Sequence, residues 1–78
     1  MNRLVIVVPA YNEEESLPKT LMTLANVLKK LIQQQRISNN SKIVVVNDGS
    51  IDGTWGIIKR LSLVEPFISG INFSRNFV

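Results

Sequence analysis

The side chains of this chain that could do chemistry are concentrated in three short polar segments, each directly following an apolar run. Their most useful members are Tyr11, Glu13, Asp48 and Arg75. An aromatic ring gives a nucleobase a flat face for stacking, and a carboxylate accepts hydrogen bonds from base N–H groups or sugar hydroxyls. An arginine can bind a phosphate through two parallel hydrogen bonds. Together these groups could recognise a base, a sugar and a phosphate.

The composition excludes several other kinds of site. The 78 residues include neither cysteine nor histidine, so the chain has no disulfide framework, no thiolate metal site and no imidazole base. Hydrophobic residues make up 45% and charged residues 19%, which is typical of a folded chain rather than a disordered one. The net charge of +3 comes from scattered cations, so we do not expect nucleic-acid binding.

The apolar pattern predicts a β-α-β-α-β order of elements. Short β-branched runs without alternation are typical of strands buried on both faces, as in a parallel sheet. Leucines recur at spacings of four and three residues on one helical stripe, at Leu17, Leu21, Leu24, Leu28 and Leu31. We predict strands at Leu4–Val8, Ile43–Val46 and Phe67–Phe73, and helices capped by Ser16 and Asp52.

This order predicts an α/β fold with parallel strands joined by right-handed crossovers. The carboxyl ends of all the strands then lie at one edge of the sheet, which is where open α/β sheets bind their ligands. The polar segments Pro9–Glu13, Asn47–Asp52 and Ser74–Asn76 follow those ends. We therefore expect them to meet at a common site.

Each candidate residue also has a purely structural interpretation. Tyr11 fits ligand contact and capping of the sheet edge about equally well, and Glu13 fits ligand contact and a purely structural place leading into the helix about equally well. For Asp48 we favour ligand contact, because Asp52 is available downstream to cap the second helix. Arg75 taken alone would be a solvated cation near a chain end. Neither G-x-G-x-x-G nor G-x-x-x-x-G-K-[ST] occurs, which argues against a standard dinucleotide or P-loop site.

Taken together, the three segments resemble the beginning of family 2 glycosyltransferases. The nearest subgroup is that of the polyprenyl-phosphate sugar transferases, such as dolichol-phosphate mannose synthase and the bactoprenol glucosyltransferases. The matching motifs are Val7–Glu14 (VVPAYNEE), Val46–Thr54 (VNDGSIDGT) and Phe73–Phe77 (FSRNF). One such motif is weak evidence, but three in order over nearly the whole chain are specific.

The resemblance implies that residues 1–78 form the N-terminal, nucleotide-sugar-binding part of a Rossmann-like GT-A domain. It also implies sugar transfer from a UDP-sugar or GDP-sugar to the phosphate of a membrane polyprenol, with inversion at the anomeric carbon. The family pattern assigns no catalytic and no metal-binding residue to these positions. It assigns nucleotide-sugar contacts to Pro9, Tyr11, Glu13, Val46, Asp48 and Arg75.

The sequence departs from the family pattern in two places and lacks several family features. Asn47 stands where a second aspartate is frequent, and Val78 stands where glycine commonly follows. The D-x-D motif, its Mg²⁺ or Mn²⁺, the catalytic base and the acceptor site are expected downstream of Val78. We therefore interpret the chain as a truncated part without transferase activity of its own. The alternatives are a nucleotide-binding module without catalysis and a non-functional product of an interrupted gene.

The sequence also gives an expectation for location. The apolar run Leu4–Val8 is shorter than the roughly 7–15 residues of a signal-peptide core. No stretch approaches the roughly 18–20 apolar residues of a membrane span. We expect a chain that lies in the cytoplasm or at the cytoplasmic face of a membrane.

Overall fold

The computed structural model describes residues 2–49 and 52–73. Two helices alternate with three strands, so the predicted β-α-β-α-β order is confirmed. The elements are β1 (Val5–Ala10), α1 (Leu17–Gln33), β2 (Lys42–Asp48), α2 (Thr54–Val64) and β3 (Ile68–Phe73). No helix in the described ranges is long and apolar enough to cross a membrane.

The three strands form one parallel sheet in the order β1-β2-β3. In the register between β1 and β2, Val5 lies opposite Lys42 and Ala10 opposite Asn47. Between β2 and β3, Ile43 lies opposite Ile68. The strands are therefore level with one another, and their carboxyl ends share one edge as predicted.

The core lies between the two helices and one face of the sheet. The leucine stripe of α1 faces inward, with Leu17, Leu21 and Leu28 fully buried. They form one cluster with Ile43 and Val45 of β2 and with the buried isoleucines of α2. Because side chains alternate along a strand, residues 43, 45 and 47 of β2 share this inner face.

The opposite face of the sheet, which we call the outer face, corrects the prediction that the strands are buried on both sides. Val5 and Val7 are 45% and 62% exposed, and Ile71 and Phe73 are each 50% exposed. Both helices pack on the inner face, so nothing among the described residues covers the other one. The outer face consists of Val5, Val7 and Pro9 of β1, Lys42, Val44, Val46 and Asp48 of β2, and Ser69, Ile71 and Phe73 of β3.

The start of α1 corrects a second prediction. Ser16 makes no side-chain capping hydrogen bond, and its backbone is already helical at φ −93° and ψ −25°. The turn begins earlier, because the amide of Leu17 donates to the carbonyl oxygen of Glu13 over 2.9 Å. The hydroxyl of Ser16 therefore does not cap the N-terminus of α1.

Candidate functional site

The carboxyl edge of β1 and β2 brings together three of the residues predicted to contact a nucleotide sugar. Pro9 lies opposite Val46 in the strand register. Asp48 comes two residues after Val46, at the last position of β2. Strand alternation places Pro9, Val46 and Asp48 on the outer face, away from both helices. Val46 and Asp48 are half-buried there and Pro9 is exposed.

The loop after β1 carries two further predicted residues. Tyr11 is 54% exposed directly beyond the end of β1, so its ring is accessible to a stacking partner. Asn12 has a φ of +50°, in the left-handed region where asparagine is one of the favoured residues. Glu13 is half-buried, and its amide is held by α2 as described below. The loop thus presents an aromatic face from a backbone that is fixed at both ends.

The remaining predicted contact, Arg75, lies outside the described residues. The same holds for the rest of the third polar segment and for Val78, where the sequence departs from the family pattern. The structure therefore places Pro9, Tyr11, Glu13, Val46 and Asp48 at the carboxyl edge and leaves the position of Arg75 a prediction.

A hydroxyl that the sequence did not single out connects the first loop to the second. Thr54 is fully buried at the first position of α2, and its Oγ1 accepts a 2.9 Å hydrogen bond from the amide of Glu13. The same hydroxyl donates to Asp52 Oδ1. Glu13 and Thr54 are 41 residues apart in the chain, so this hydrogen bond joins two loops that are distant in the sequence.

Asp52 completes the connection. Its Oδ1 accepts from the amide of Thr54 over 3.0 Å, and its Oδ2 accepts from the amide of Glu14 over 3.2 Å. The prediction that Asp52 is the N-cap of α2 is wrong, because Gly53 occupies that position; Asp52 binds the first amide of the helix from one residue earlier. One carboxylate and one hydroxyl fix the relative positions of both loops. We call Asp52 and Thr54 the loop clamp.

Asp52 of the loop clamp also lines an acidic cleft. The cleft has a volume of about 380 Å³ and is lined by Asn12, Glu13, Glu14, Glu15, Ser16 and Asp52. Of the predicted contacts in the described ranges, only Glu13 lines it. Its carboxylates could accept hydrogen bonds from hydroxyl or amine groups, but they would repel a phosphate. A Cβ atom at Gly53 would displace the carboxylate of Glu14, which is the end of a flexible, exposed side chain and has room to move aside.

The carboxylates in the described ranges do not form a metal site. No group of three or more acidic side chains converges there in a way that could hold an ion. Both carboxylate oxygens of Asp52 already accept hydrogen bonds within the loop clamp. The divalent cation that the family resemblance implies therefore does not fit the donors described here.

The loop clamp gives Asp52 an unusual acidity. The pKa of its carboxyl is lowered from the ordinary value, first by the hydroxyl of Thr54 and then by the amides of Thr54 and Glu14. Folding therefore favours the carboxylate over the acid. The sign follows from linkage: this stabilisation is complete above the unfolded pKa, near 4, and disappears as the pH falls through the lower folded value.

We therefore expect the urea midpoint of the wild-type chain to fall more steeply between about pH 5 and pH 2 than that of an Asp52→Asn variant. The amide keeps one accepting oxygen, replaces the other with a donor and does not titrate, so this variant is less stable throughout but should lack this part of the pH dependence. Urea titrations followed by circular dichroism at several pH values measure both midpoints. Parallel declines in the two proteins would contradict the assignment.

A buried amide near the same edge remains partly unsatisfied. Asn47 is 2% exposed on the inner face, and its Nδ2 donates to Asn72 Oδ1 over 2.9 Å. Among the residues that the structure describes, its Oδ1 has no hydrogen-bond partner. Asn47 is the position at which the family pattern often has aspartate. The neutral amide suits a site where one oxygen is buried without a donor, since a carboxylate there would cost more.

Comparison with known proteins gives a consistent family. The model of the family described as glycosyl transferase family 2 matches residues 5–77. The chain is 40% identical over 73 residues to an uncharacterized glycosyltransferase, YkoT, of Bacillus subtilis, which covers 94% of this chain and 22% of the relative. It is 35% identical over 75 residues to a prophage bactoprenol glucosyl transferase homolog of Escherichia coli, covering 96% of this chain and 22% of the relative.

A eukaryotic protein gives a similar result. The chain is 42% identical over 69 residues to a dolichyl-phosphate beta-glucosyltransferase of Trichomonas vaginalis, which covers 88% of this chain and 21% of the relative. The chain thus spans about one fifth of the length of these relatives. No solved structure matches the chain.

Proposed function

The chain belongs to glycosyl transferase family 2, and we propose that it supplies the nucleotide-binding part of an enzyme that transfers a sugar from a nucleotide-diphosphate sugar to a polyprenyl phosphate. The architecture agrees with this, since three parallel strands with β-α-β-α-β order are what the N-terminal half of a GT-A domain requires. The acceptor class is supported by relatives named for bactoprenol and for dolichyl phosphate.

The observation that carries the proposal is the grouping of Pro9, Val46 and Asp48 on one face of the carboxyl edge, beside the exposed ring of Tyr11. In our proposal the ring of Tyr11 stacks on the base and the carboxylate of Asp48 accepts its N–H groups. Pro9 and Val46 supply the apolar wall between them. This combination of a flat face and one acceptor fits a base better than a phosphate.

Glu13 and Arg75 complete the proposed donor site. The carboxylate of Glu13 accepts a hydrogen bond from the nucleoside, and the loop clamp holds its backbone in place for that contact. Arg75 belongs to the segment that follows β3 and is the cation proposed to face the diphosphate. Carboxylates dominate the described part of the site, so a cation is needed for an anionic donor.

The reaction assigned to the whole enzyme is an inverting displacement. A phosphate oxygen of the polyprenol attacks the anomeric carbon while the bond to the nucleoside diphosphate breaks. The part of this work that we assign to the chain is to bind and orient the donor. We place the Mg²⁺ or Mn²⁺ and the acceptor site in the part of the relatives that this chain does not span. The proposal keeps the expectation that transfer occurs at the cytoplasmic face of a membrane.

The alternative function is a nucleotide-binding module that performs no transfer. It rests on the same grouping of Pro9, Val46 and Asp48 beside Tyr11, which supports contact with a base and does not by itself require transfer. We expect the purified 78-residue chain to bind nucleotide without transferring sugar. Measurable formation of polyprenyl-phosphate sugar by the purified chain would refute this expectation.

The proposal is tested by titrating UDP and GDP into ¹⁵N-labelled chain and following the amide signals by NMR. The signals of Tyr11 and Asp48 are expected to shift with one of the two nucleotides. Asp48→Asn should weaken binding by about tenfold or more, because a hydrogen bond to a charged acceptor is replaced by a weaker one.

A matched control is available in Glu15→Gln, which removes the same charge from an exposed residue outside the proposed contacts. Its affinity should equal that of the wild-type chain within about twofold, since exposed charges contribute little. Absence of any shift at millimolar nucleotide, or an equal loss of affinity in both variants, would overturn the proposal.

A further inference from the structure

The loop clamp joins the same two loops that the proposed nucleotide site spans. In that site, Tyr11 and Glu13 belong to the loop after β1, whereas Asp48 ends β2 and leads into the loop before α2. The loop clamp lies at the far end of this second loop and binds two amides of the first one. In the proposed site, a nucleotide therefore bridges the same pair of loops at a second place.

Glu13 is the residue through which the loop clamp acts on the position of Tyr11. Its amide donates to Thr54 Oγ1 over 2.9 Å, and its carbonyl oxygen accepts from the amide of Leu17 over 2.9 Å. Ala10, which is 1% exposed at the last position of β1, fixes the chain on the other side. A short stretch that begins with Tyr11 connects these two fixed points, so the position of its ring depends on both.

The other end of the loop clamp is anchored in the core. Thr54 is fully buried at the first position of α2, and Ile57 and Ile58 of the same helix belong to the hydrophobic core. Asp52 is exposed, but its carboxylate binds one amide of α2 and one of the first loop. The loop clamp therefore holds the first loop to a packed helix, although neither of its residues is among the proposed nucleotide contacts.

Two connections between the same pair of loops are energetically coupled, because the connection that forms first restricts a motion that the second must otherwise stop. We propose that Asp52 and Thr54 are positioning residues of the nucleotide site, so that closure of the loop clamp and nucleotide binding favour each other. This inference rests on the proposed function and adds that residues outside the contacts help to set the affinity. Coupling of this kind is typically about 5- to 150-fold and acts in both directions.

The first test compares the nucleotide affinities of the wild-type chain and Thr54→Val by NMR titration. The ligand is UDP or GDP, whichever shifts the wild-type signals. The valine variant lacks the acceptor for the Glu13 amide, so its dissociation constant should rise at least about fivefold. Thr54→Ser keeps the hydroxyl and should restore the affinity to within about twofold of the wild-type value. Equal affinities of the wild-type chain and the valine variant overturn the inference and leave the nucleotide site in place.

Ile43→Val is the control for a general loss of stability. Ile43 is fully buried near the amino end of β2, away from the edge that carries the loop clamp. The shorter side chain should lower the urea midpoint. Its nucleotide affinity should stay within about twofold of the wild-type value, because a chain that is almost entirely folded loses little of its binding-competent population. If Ile43→Val weakens binding as much as Thr54→Val does, the effect is one of stability and the inference is wrong.

Asp52→Asn separates positioning from charge. It removes a negative charge from the edge that binds the nucleotide, which by electrostatics alone would strengthen the binding of an anion. It also replaces an accepting oxygen with a donor, so the carboxylate's hydrogen bonds to the amides of Glu14 and Thr54 cannot both persist. Binding that is weaker by about twofold or more supports a positioning role. Unchanged or stronger binding overturns it.

The reverse direction of the coupling is measured by hydrogen exchange of the Glu13 amide. Nucleotide at a concentration well above its dissociation constant should slow this exchange at least about fivefold in the wild-type chain. Unchanged exchange, in a chain whose Tyr11 and Asp48 signals shift with nucleotide, overturns the coupling alone. A chain whose signals shift with neither nucleotide overturns the proposed function and this inference with it.

Discussion

Replacing Thr54 by valine is expected to destabilise the chain by about 1–3 kcal/mol, because it leaves a backbone donor in a partly buried position without its acceptor. Valine keeps the shape of threonine but has no hydroxyl. The amide of Glu13 loses its 2.9 Å hydrogen bond, and Asp52 loses the donor that contributes most to its lowered pKa. The first loop should consequently be held less firmly at the start of α2, where the hydrogen bond from the Glu14 amide to Asp52 Oδ2 remains.

Three measurements check this result. Urea unfolding gives the loss of stability, hydrogen exchange of the Glu13 amide gives the loss of local protection, and NMR titration should show the pKa of Asp52 rising toward its ordinary value. Thr54→Ser retains the hydroxyl and is the control. It should keep the protection of Glu13 even if the missing methyl group costs some stability. Unchanged exchange at Glu13 in the valine variant would show that the loop clamp does not hold the loop.

Replacing Gly70 by alanine is expected to lower the stability by about 1–3 kcal/mol, the usual cost of forcing extra volume into a packed contact. A Cβ atom at this position would lie 2.5 Å from Cγ2 of Ile58 and 3.1 Å from Cζ3 of Trp55. Ile58 is fully buried and has no room to withdraw. The absence of a side chain at Gly70 therefore lets α2 approach β3 closely.

The same substitution at Gly56 provides a control of opposite sign. Gly56 lies within α2, and a Cβ atom added there meets nothing within 4 Å. Gly56→Ala should raise the stability by about 0.5–1 kcal/mol, because alanine is the better helix former and restricts the unfolded chain. Urea unfolding of both variants makes the comparison. A neutral or stabilising Gly70→Ala would show that α2 does not pack against β3 as described.

The sequence predicted the order of the elements and the direction of the strands because both depend on local patterns. The leucine spacing from Leu17 onward defines one buried stripe, and α1 begins at that residue. The β-branched run before Asn47 became the central strand. Pro9 was expected to close the first strand, but β1 continues through it to Ala10. An edge strand tolerates proline, because the missing amide can point away from the ladder.

The features that the sequence did not predict depend on contacts between distant segments. Burial of a strand on both faces requires a layer of other elements on each side of the sheet. The run of β-branched residues in β1 could not show whether the second of these layers is present. The lack of a side chain at Gly70 makes room for Ile58 of α2, a contact that no local pattern in the sequence reveals. Thr54 stands two residues after an aspartate, which is typical of a local turn. Its hydrogen bond with the amide of Glu13 could not be predicted from the sequence, because 41 residues separate the two.

The sequence predicted which edge of the sheet carries the candidate site. The topology alone brings Pro9 beside Val46, since both follow from parallel strands in register. The roles of Tyr11 and Asp48 stay predictions that nucleotide titration can decide. The acidic cleft was not expected, because it depends on how Asp52 turns back toward Glu14.

The strand pairing also determines when this chain can fold during its synthesis. Val5 pairs with a residue 37 positions later, and Ile43 pairs with one 25 positions later. At roughly 5–20 residues per second, β1 leaves the ribosome about 2–7 seconds before its partner exists. α1 can form before that interval ends, since its hydrogen bonds are local and Gln33 precedes Lys42, but the apolar strand before it has no partner until β2 follows. The nascent chain therefore depends on early helix formation, and β1 is the segment that a chaperone would have to protect.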